Sequence, residues 1–256
     1  MVITFDVGNS NIVISIFDSD KIIRTLRIKT DIEKSADEYA TSIKDLLDKT
    51  EIDTSLINGG IISSVVPPLN GVLKGVIKRL FTFEPMFLET GIKTGLKIVC
   101  DNPGEVGADL IADSVGALTR YGKGTIVIDL GTASKFIIVD KNGAFSGVII
   151  APGIKTSKNA LVSKTSQLPN ISMQAPEKVI GRNTIDAMNS GVAYGYASMV
   201  DGLISRIEEE LGYKCNHVLT GGLSKVVNDS LKEEVVLDRD LISYGLLAIY
   251  NKNRGK

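Results

Sequence analysis

Two stretches of this chain repeat one pattern. ITFDVGNSNIVISIF, from Ile3 to Phe17, and VIDLGTASKFIIV, from Val127 to Val139, each read as an apolar strand, Asp-x-Gly, small polar residues and a second apolar strand. Asp6 answers to Asp129 and Gly8 to Gly131. The offset is nearly half of the 256 residues, so the simplest fold is two related halves, 1–119 and 120–256, facing each other across a cleft. A cleft between domains is a usual place for a ligand.

The surrounding pattern supports an α/β layer fold. VITFD, IVISIFD and KIIRTLRI alternate as consecutive antiparallel strands joined by short turns. SADEYATSIKDLL, with Ser35 three residues before Glu38, carries a capping-box signature and then Tyr39, Ile43, Leu46 and Leu47 at helical spacing. GGIISSVVPP predicts a buried strand ended by prolines, LNGVLKGVIKRLF a helix and EPMFLE a short strand. In the second half, short strands run to about Gly153, and helices are expected around KTSKNALVSK, TIDAMNSGVAYGYASMVDGLISRIEEEL and SKVVNDSLKEE, with HVLTGG a strand entering a Gly-Gly turn.

Composition narrows the function classes. A chain of this length, 43% hydrophobic, hides roughly 75% of its unfolded surface. Lys plus Arg (29) nearly cancel Asp plus Glu (30), which argues against nucleic acid or an anionic membrane and favours a small-molecule partner. No apolar run approaches the ~20 residues that span a bilayer. The two cysteines, Cys100 and Cys215, have no metal-ligand spacing, and MVITFDVGNS does not read as a signal peptide. A reduced, cytoplasmic protein is expected.

Both Asp-x-Gly turns suit phosphate. Glycine lets a ligand approach the main chain, and successive N–H groups with the side chains of Asn9, Ser10 and Asn11 make a concave donor surface. A carboxylate such as Asp6 cannot attract an anion, but it can hold a cation that neutralises one. The same holds for Asp129 with Gly131, Thr132, Ala133 and Ser134. Either turn alone is good hairpin chemistry; two at matching places point to a nucleotide phosphate clamp. In NPGEVGADLIAD, Asp109 stands at the start of a helix, where a carboxylate caps free N–H groups. Taken alone, the residue reads first as that cap; if the cleft binds a nucleoside triphosphate, the same carboxylate suits deprotonation of an acceptor hydroxyl, and the two roles are compatible. TGGL is weak evidence for a base or ribose contact. His217, the only histidine, reads as structural, as do Cys215 and the solvated run from Glu208 to Glu210.

Taken together the motifs resemble the type III pantothenate kinases of the acetate and sugar kinase, Hsc70 and actin superfamily. DVGNSN is similar to the family's DVGNTN, PGEVGADL to PxEVGADR, DLGTAS to DxGTAT, GVIIAPG to GGxIxPG and IGRNT to IGxNT, and TGG matches a late glycine motif, all in order over nearly the whole chain. The resemblance implies duplicated actin-like (ribonuclease H-like) α/β domains with mixed sheets flanked by helices. It also implies a cytoplasmic homodimer whose facing subunit helps close the substrate site. The reaction implied is transfer of the ATP γ-phosphate to the terminal hydroxyl of pantothenate, the first step of coenzyme A synthesis. By the same resemblance Asp109 is the base, and Asp6, Val7, Gly8, Asn9, Ser10 and Asn11 form the phosphate loop, with Asp6 near Mg2+-ATP. Gly131, Thr132 and Ala133 touch ATP, and Asp129 holds a monovalent cation, potassium or ammonium. Cys100, Gly107, Ala108, Asp109, Leu110 and Thr184 border pantothenate.

The departures gather at the substrate. Leu110 stands where the family has arginine, and leucine offers no donor to a carboxylate. Cys100 stands where a tyrosine is common. Two alternatives rest on these residues: a nucleotide-binding paralogue without pantothenate kinase activity, or a kinase for a different small alcohol. Lys135 and Arg120 are the basic neighbours that could replace the missing arginine.

Overall fold

The computed structural model describes residues 1–255. They form two compact units, one from Met1–Leu96, Asp101–Thr119 and the residues from Ile242 onward, the other from Lys97–Cys100 and Arg120–Leu241.

The first unit is built on a five-stranded mixed sheet. Strands β1 (Val2–Val7), β2 (Asn11–Asp18) and β3 (Lys21–Lys29) form an antiparallel meander, and β4 (Gly59–Ser64) and β5 (Met86–Phe87) add in parallel beside β1, giving the order β3-β2-β1-β4-β5. Helix α1 (Ala36–Leu47) opens with the capping box that its sequence predicts: Ser35 Oγ accepts from the Glu38 N–H, and Glu38 Oε2 accepts from the Ser35 N–H at 2.9 Å. Such a cap stabilises a helix by about 1 kcal/mol. Helix α2 (Pro68–Leu80) packs beside α1, and Ile3, Phe5, Ile14, Ile43 and Leu73 close the core between these helices and the sheet. Burying each such side chain contributes about 1.5–3 kcal/mol.

Two further helices complete this unit, α3 (Ala108–Arg120) and α7 (Leu241–Asn253). The pattern reading assigns α7 no element. A Cβ on its Gly245 would lie 1.9 Å from the carbonyl oxygen of Ala112 on α3, so the two helices approach at a contact that only glycine permits.

The second unit repeats the plan. Strands β7 (Thr125–Leu130), β8 (Ala133–Val139) and β9 (Ala144–Pro152) are an antiparallel meander, and β10 (Asn216–Thr220) and β11 (Val236–Leu237) add in parallel beside β7. The order β9-β8-β7-β10-β11 is that of the first sheet, extended by β6 (Lys97–Ile98) outside β9. The sequence repeat is therefore a repeat of topology, and the α/β fold is a duplicated actin-like one with mixed sheets flanked by helices. Helices α4 (Ile154–Lys164) and α5 (Thr184–Leu211) accompany this sheet. The helix expected over SKVVNDSLKEE shrinks to α6 (Lys225–Asn228), after which the chain turns. EPMFLE likewise contributes only the two residues of β5.

Candidate active site

The first glycine turn is held from behind. The Gly8 N–H donates to the Asn11 carbonyl at 3.0 Å, closing a three-residue connection between β1 and β2. From β3's end, Thr30 Oγ1 donates to the Gly8 carbonyl at 2.6 Å and the Thr30 N–H to the Ser10 carbonyl at 3.1 Å. With those carbonyls engaged, Asn9, Ser10 and Asn11 remain exposed. Asp6, half-buried near the end of β1, has Val13 opposite on β2 and Ser63 opposite on β4. Ser63 is fully buried, and its hydroxyl has no hydrogen-bond partner among the described residues. Sequence patterning gave no reason to single it out.

Three motifs converge on the second turn. The Gly131 N–H donates to the Ala133 carbonyl at 3.0 Å, leaving Thr132 exposed. Gly153 caps α4 directly against this turn: a Cβ there would stand 2.3 Å from the Thr132 carbonyl oxygen and 2.5 Å from that of Gly131. The positive end of the α4 dipole therefore starts beside Thr132, an arrangement suited to phosphate. From the other side comes Gly221, at φ +90, where a Cβ would stand 2.5 Å from Asp129 Oδ1. The TGG turn thus presses its backbone on Asp129, and the Leu223 N–H donates to the Leu130 carbonyl at 3.1 Å. Asp129 Oδ2 lies 2.6 Å from Lys135 Nζ, with both side chains 15% exposed.

Asp109 sits within the first turn of α3, one residue past its start, and Oδ1 accepts from the Leu110 N–H at 2.9 Å. It serves a helix-terminal donor as the capping reading expects, although from inside the helix. Gly107 is packed against it, since a Cβ there would lie 2.6 Å from Oδ1. One turn on, Asp113 is a second, deeply buried carboxylate of α3 that the sequence reading passes over. Cys100 and Ala108 are half-buried.

Thr184 begins α5 and, with Lys158, Arg182, Asn183, Met188 and Tyr196, lines a cavity of about 710 Å³ in the second unit. None of the glycine-turn residues borders it. Lys158 is itself buried and donates to Asn170 Oδ1 at 2.7 Å.

The only histidine is structural. The run from Glu208 to Glu210 is not solvated throughout: Glu209 and Glu210 are exposed, but Glu208 is 5% exposed. Glu208 accepts from Lys214 Nζ at 2.6 Å and from the Cys215 N–H at 2.9 Å, and its Oε1 stands 3.0 Å from His217 Nε2. Burial, with the Glu208 charge, pushes the Cys215 thiol up to about 11, which removes it as a nucleophile. Among the described residues no three His, Cys, Asp or Glu side chains gather as a resident metal site. Magnesium arriving with a nucleotide makes no such demand, since one or two carboxylates with phosphates and waters complete its shell.

The profile of the type III pantothenate kinases matches residues 2–206. A type III pantothenate kinase from Halalkalibacterium halodurans is 40% identical over 253 residues, covering 99% of this chain and 100% of the relative. The chain belongs to the type III pantothenate kinases. Solved structures agree on the fold: a conserved putative Baf family transcriptional activator from Campylobacter jejuni aligns with TM-score 0.61 at 20% identity over 99% of this chain and 100% of that one. The activator of 2-hydroxyisocaproyl-CoA dehydratase from Clostridium difficile, solved with ADPNP, aligns with TM-score 0.56 at 12% identity over 98% and 94%.

The two basic residues that could replace the missing arginine, Arg120 and Lys135, are each paired with a carboxylate of the chain. Arg120 Nε stands 2.8 Å from Asp238 Oδ2, which also accepts from the Tyr121 hydroxyl at 2.9 Å, and Lys135 is on Asp129. Leu110 is buried at 8% exposure. No helix among the described residues is long and apolar enough to cross a membrane.

Proposed function

We propose that the two Asp-x-Gly turns bind ATP and that Asp109 is the general base for an alcohol acceptor. Family membership makes the chain an ATP-dependent pantothenate kinase, which carries out the first step of coenzyme A synthesis. The observation that carries this is the full-length match at 40% identity, and it lends nothing to the paralogue or altered-acceptor alternatives. The Asp109 carboxylate takes the proton of the pantothenate hydroxyl as its oxygen bonds to the γ-phosphorus. The bond from that phosphorus to the bridging oxygen breaks, and ADP leaves.

The exposed Asn9, Ser10 and Asn11 and the backbone of the first turn bind phosphate oxygens, and Gly131, Thr132 and Ala133 with the α4 terminus bind ATP at the second. Asp6 holds magnesium directly or through water; the ion neutralises phosphate charge. A monovalent cation, potassium or ammonium, is the family's expected companion of Asp129. Gly107, Ala108, Leu110, Cys100 and Thr184 border pantothenate. With Leu110 unable to pair with its carboxylate, Lys158 and Arg182 beside Thr184 are the cations suited to it. The protein acts as a cytoplasmic homodimer, and the exposed Val179, Ile180 and Ile185 near this cavity give a second copy apolar surface to cover.

The test is ADP release from purified protein with Mg-ATP, with and without pantothenate. Pantothenate-dependent release with formation of 4'-phosphopantothenate supports the reading. Nucleotide binding without any pantothenate-dependent release would contradict it.

A further inference from the structure

We infer that Lys135 supplies, from within the chain, the positive charge that a monovalent cation would bring to Asp129, so that nucleotide binding and turnover here are independent of potassium and ammonium. This rests on the kinase reading above and specifies how its second turn is charged.

The geometry comes from strand register. The turn between β7 and β8 is only two residues long, which sets Asp129 and Lys135 directly opposite each other in the antiparallel ladder. Cross-strand partners of opposite charge on one face meet, and here Nζ reaches Oδ2 at 2.6 Å, a short charge-assisted contact. The first turn is one residue longer, and the matching Asp6 has the apolar Val13 opposite. The repeat therefore carries a cation partner in one copy and an apolar one in the other.

The other oxygen of the Asp129 carboxylate is approached on one side by backbone. Oδ1 faces Gly221, where even a Cβ would stand at 2.5 Å. A potassium or ammonium ion coordinating Oδ2 would take the place that Lys135 Nζ holds, or would sit beside a like charge in a site that solvent screens poorly. A tethered ammonium wins this competition, because its effective concentration at the carboxylate is set by a short side chain and not by the medium. Lysine and a monovalent cation are alternatives at this position.

The experiment compares the wild-type protein with Lys135→Thr in potassium chloride, ammonium chloride and tetramethylammonium chloride at equal ionic strength. It reads the Mg-ATP Kd by calorimetry, the melting temperature and pantothenate-dependent ADP release. Wild type should vary by less than about threefold in Kd and rate across the three salts, with an unchanged melting temperature. Lys135→Thr should bind ATP at least about tenfold more tightly in potassium than in tetramethylammonium, and melt higher there. A wild type that loses tenfold or more without potassium, or a folded Lys135→Thr as indifferent as wild type, overturns the inference. Should Lys135→Thr fail to fold, Lys135→Met takes its place, and the wild-type comparison decides by itself. Absence of ADP release in every salt would sink the kinase reading instead; the ATP Kd and melting temperature would still judge Lys135.

Discussion

Thr156 Oγ1 donates a 2.9 Å hydrogen bond to the carbonyl of Thr132, fastening the first turn of α4 to the second glycine turn. Gly153 makes that approach possible, because any side chain at its position meets the turn's own backbone oxygens. Backbone cannot rotate away as a side-chain tip can. Gly153→Ala should therefore destabilise the protein by about 1–3 kcal/mol, the usual cost of overpacking. It should also weaken ATP binding at least about tenfold by displacing Thr132. Urea denaturation and calorimetry on the same variant check both, with Thr156→Val as the milder comparison, expected to lose only about 0.5–1.5 kcal/mol.

Restoring the family's arginine should not repair the acceptor site. Leu110 is buried, and Ser114 Oγ donates to its carbonyl at 2.7 Å within α3. An arginine there must either bury its guanidinium or force the helix outward. Leu110→Arg is expected to cost about 2 kcal/mol or more of stability without lowering the pantothenate KM. A lower KM with unchanged melting temperature would mean that a guanidinium at this position reaches the substrate carboxylate without disturbing the helix.

Glu208 links stability to pH. Burial alone raises its carboxyl, but hydrogen bonds from Lys214, the Cys215 N–H and His217 outweigh that and hold it below the ordinary glutamate value. A depressed folded pKa favours folding above the unfolded value, about 4.3, and that contribution disappears as pH falls through the folded one. The stability difference between wild type and Glu208→Gln should thus be largest above about pH 5 and shrink on acidification. Denaturation curves from pH 7 downward measure it; a difference that grows as pH falls would reverse the assignment.

The sequence is most legible where local chemistry and fold agree. The two Asp-x-Gly hairpins and the Ser35–Glu38 capping box are written in contiguous residues, and the structure forms all three. Helix α7 is illegible to periodicity because LISYGLLAIY is buried or half-buried on every side, which leaves no apolar stripe to detect. The pairing of Lys135 with Asp129 depends on a turn of two residues and not three, a choice that only the register reveals. Gly153 and Gly221 stand in recognisable motifs, yet the reason each must be glycine is a neighbour far along the chain. Asp109 could be read as helix-terminal from GADL, but its first-turn position and its hold on the Leu110 N–H needed the backbone.

The most direct test compares kcat for pantothenate-dependent ADP release, and the ATP Kd, in wild type and Asp109→Asn. Asparagine keeps an oxygen that can accept the Leu110 N–H, so the helix start survives while the base is lost. We predict a fall in kcat of about 10²–10⁴-fold with ATP affinity within about threefold of wild type. An unchanged kcat would reduce Asp109 to a partner of its own helix and contradict the account.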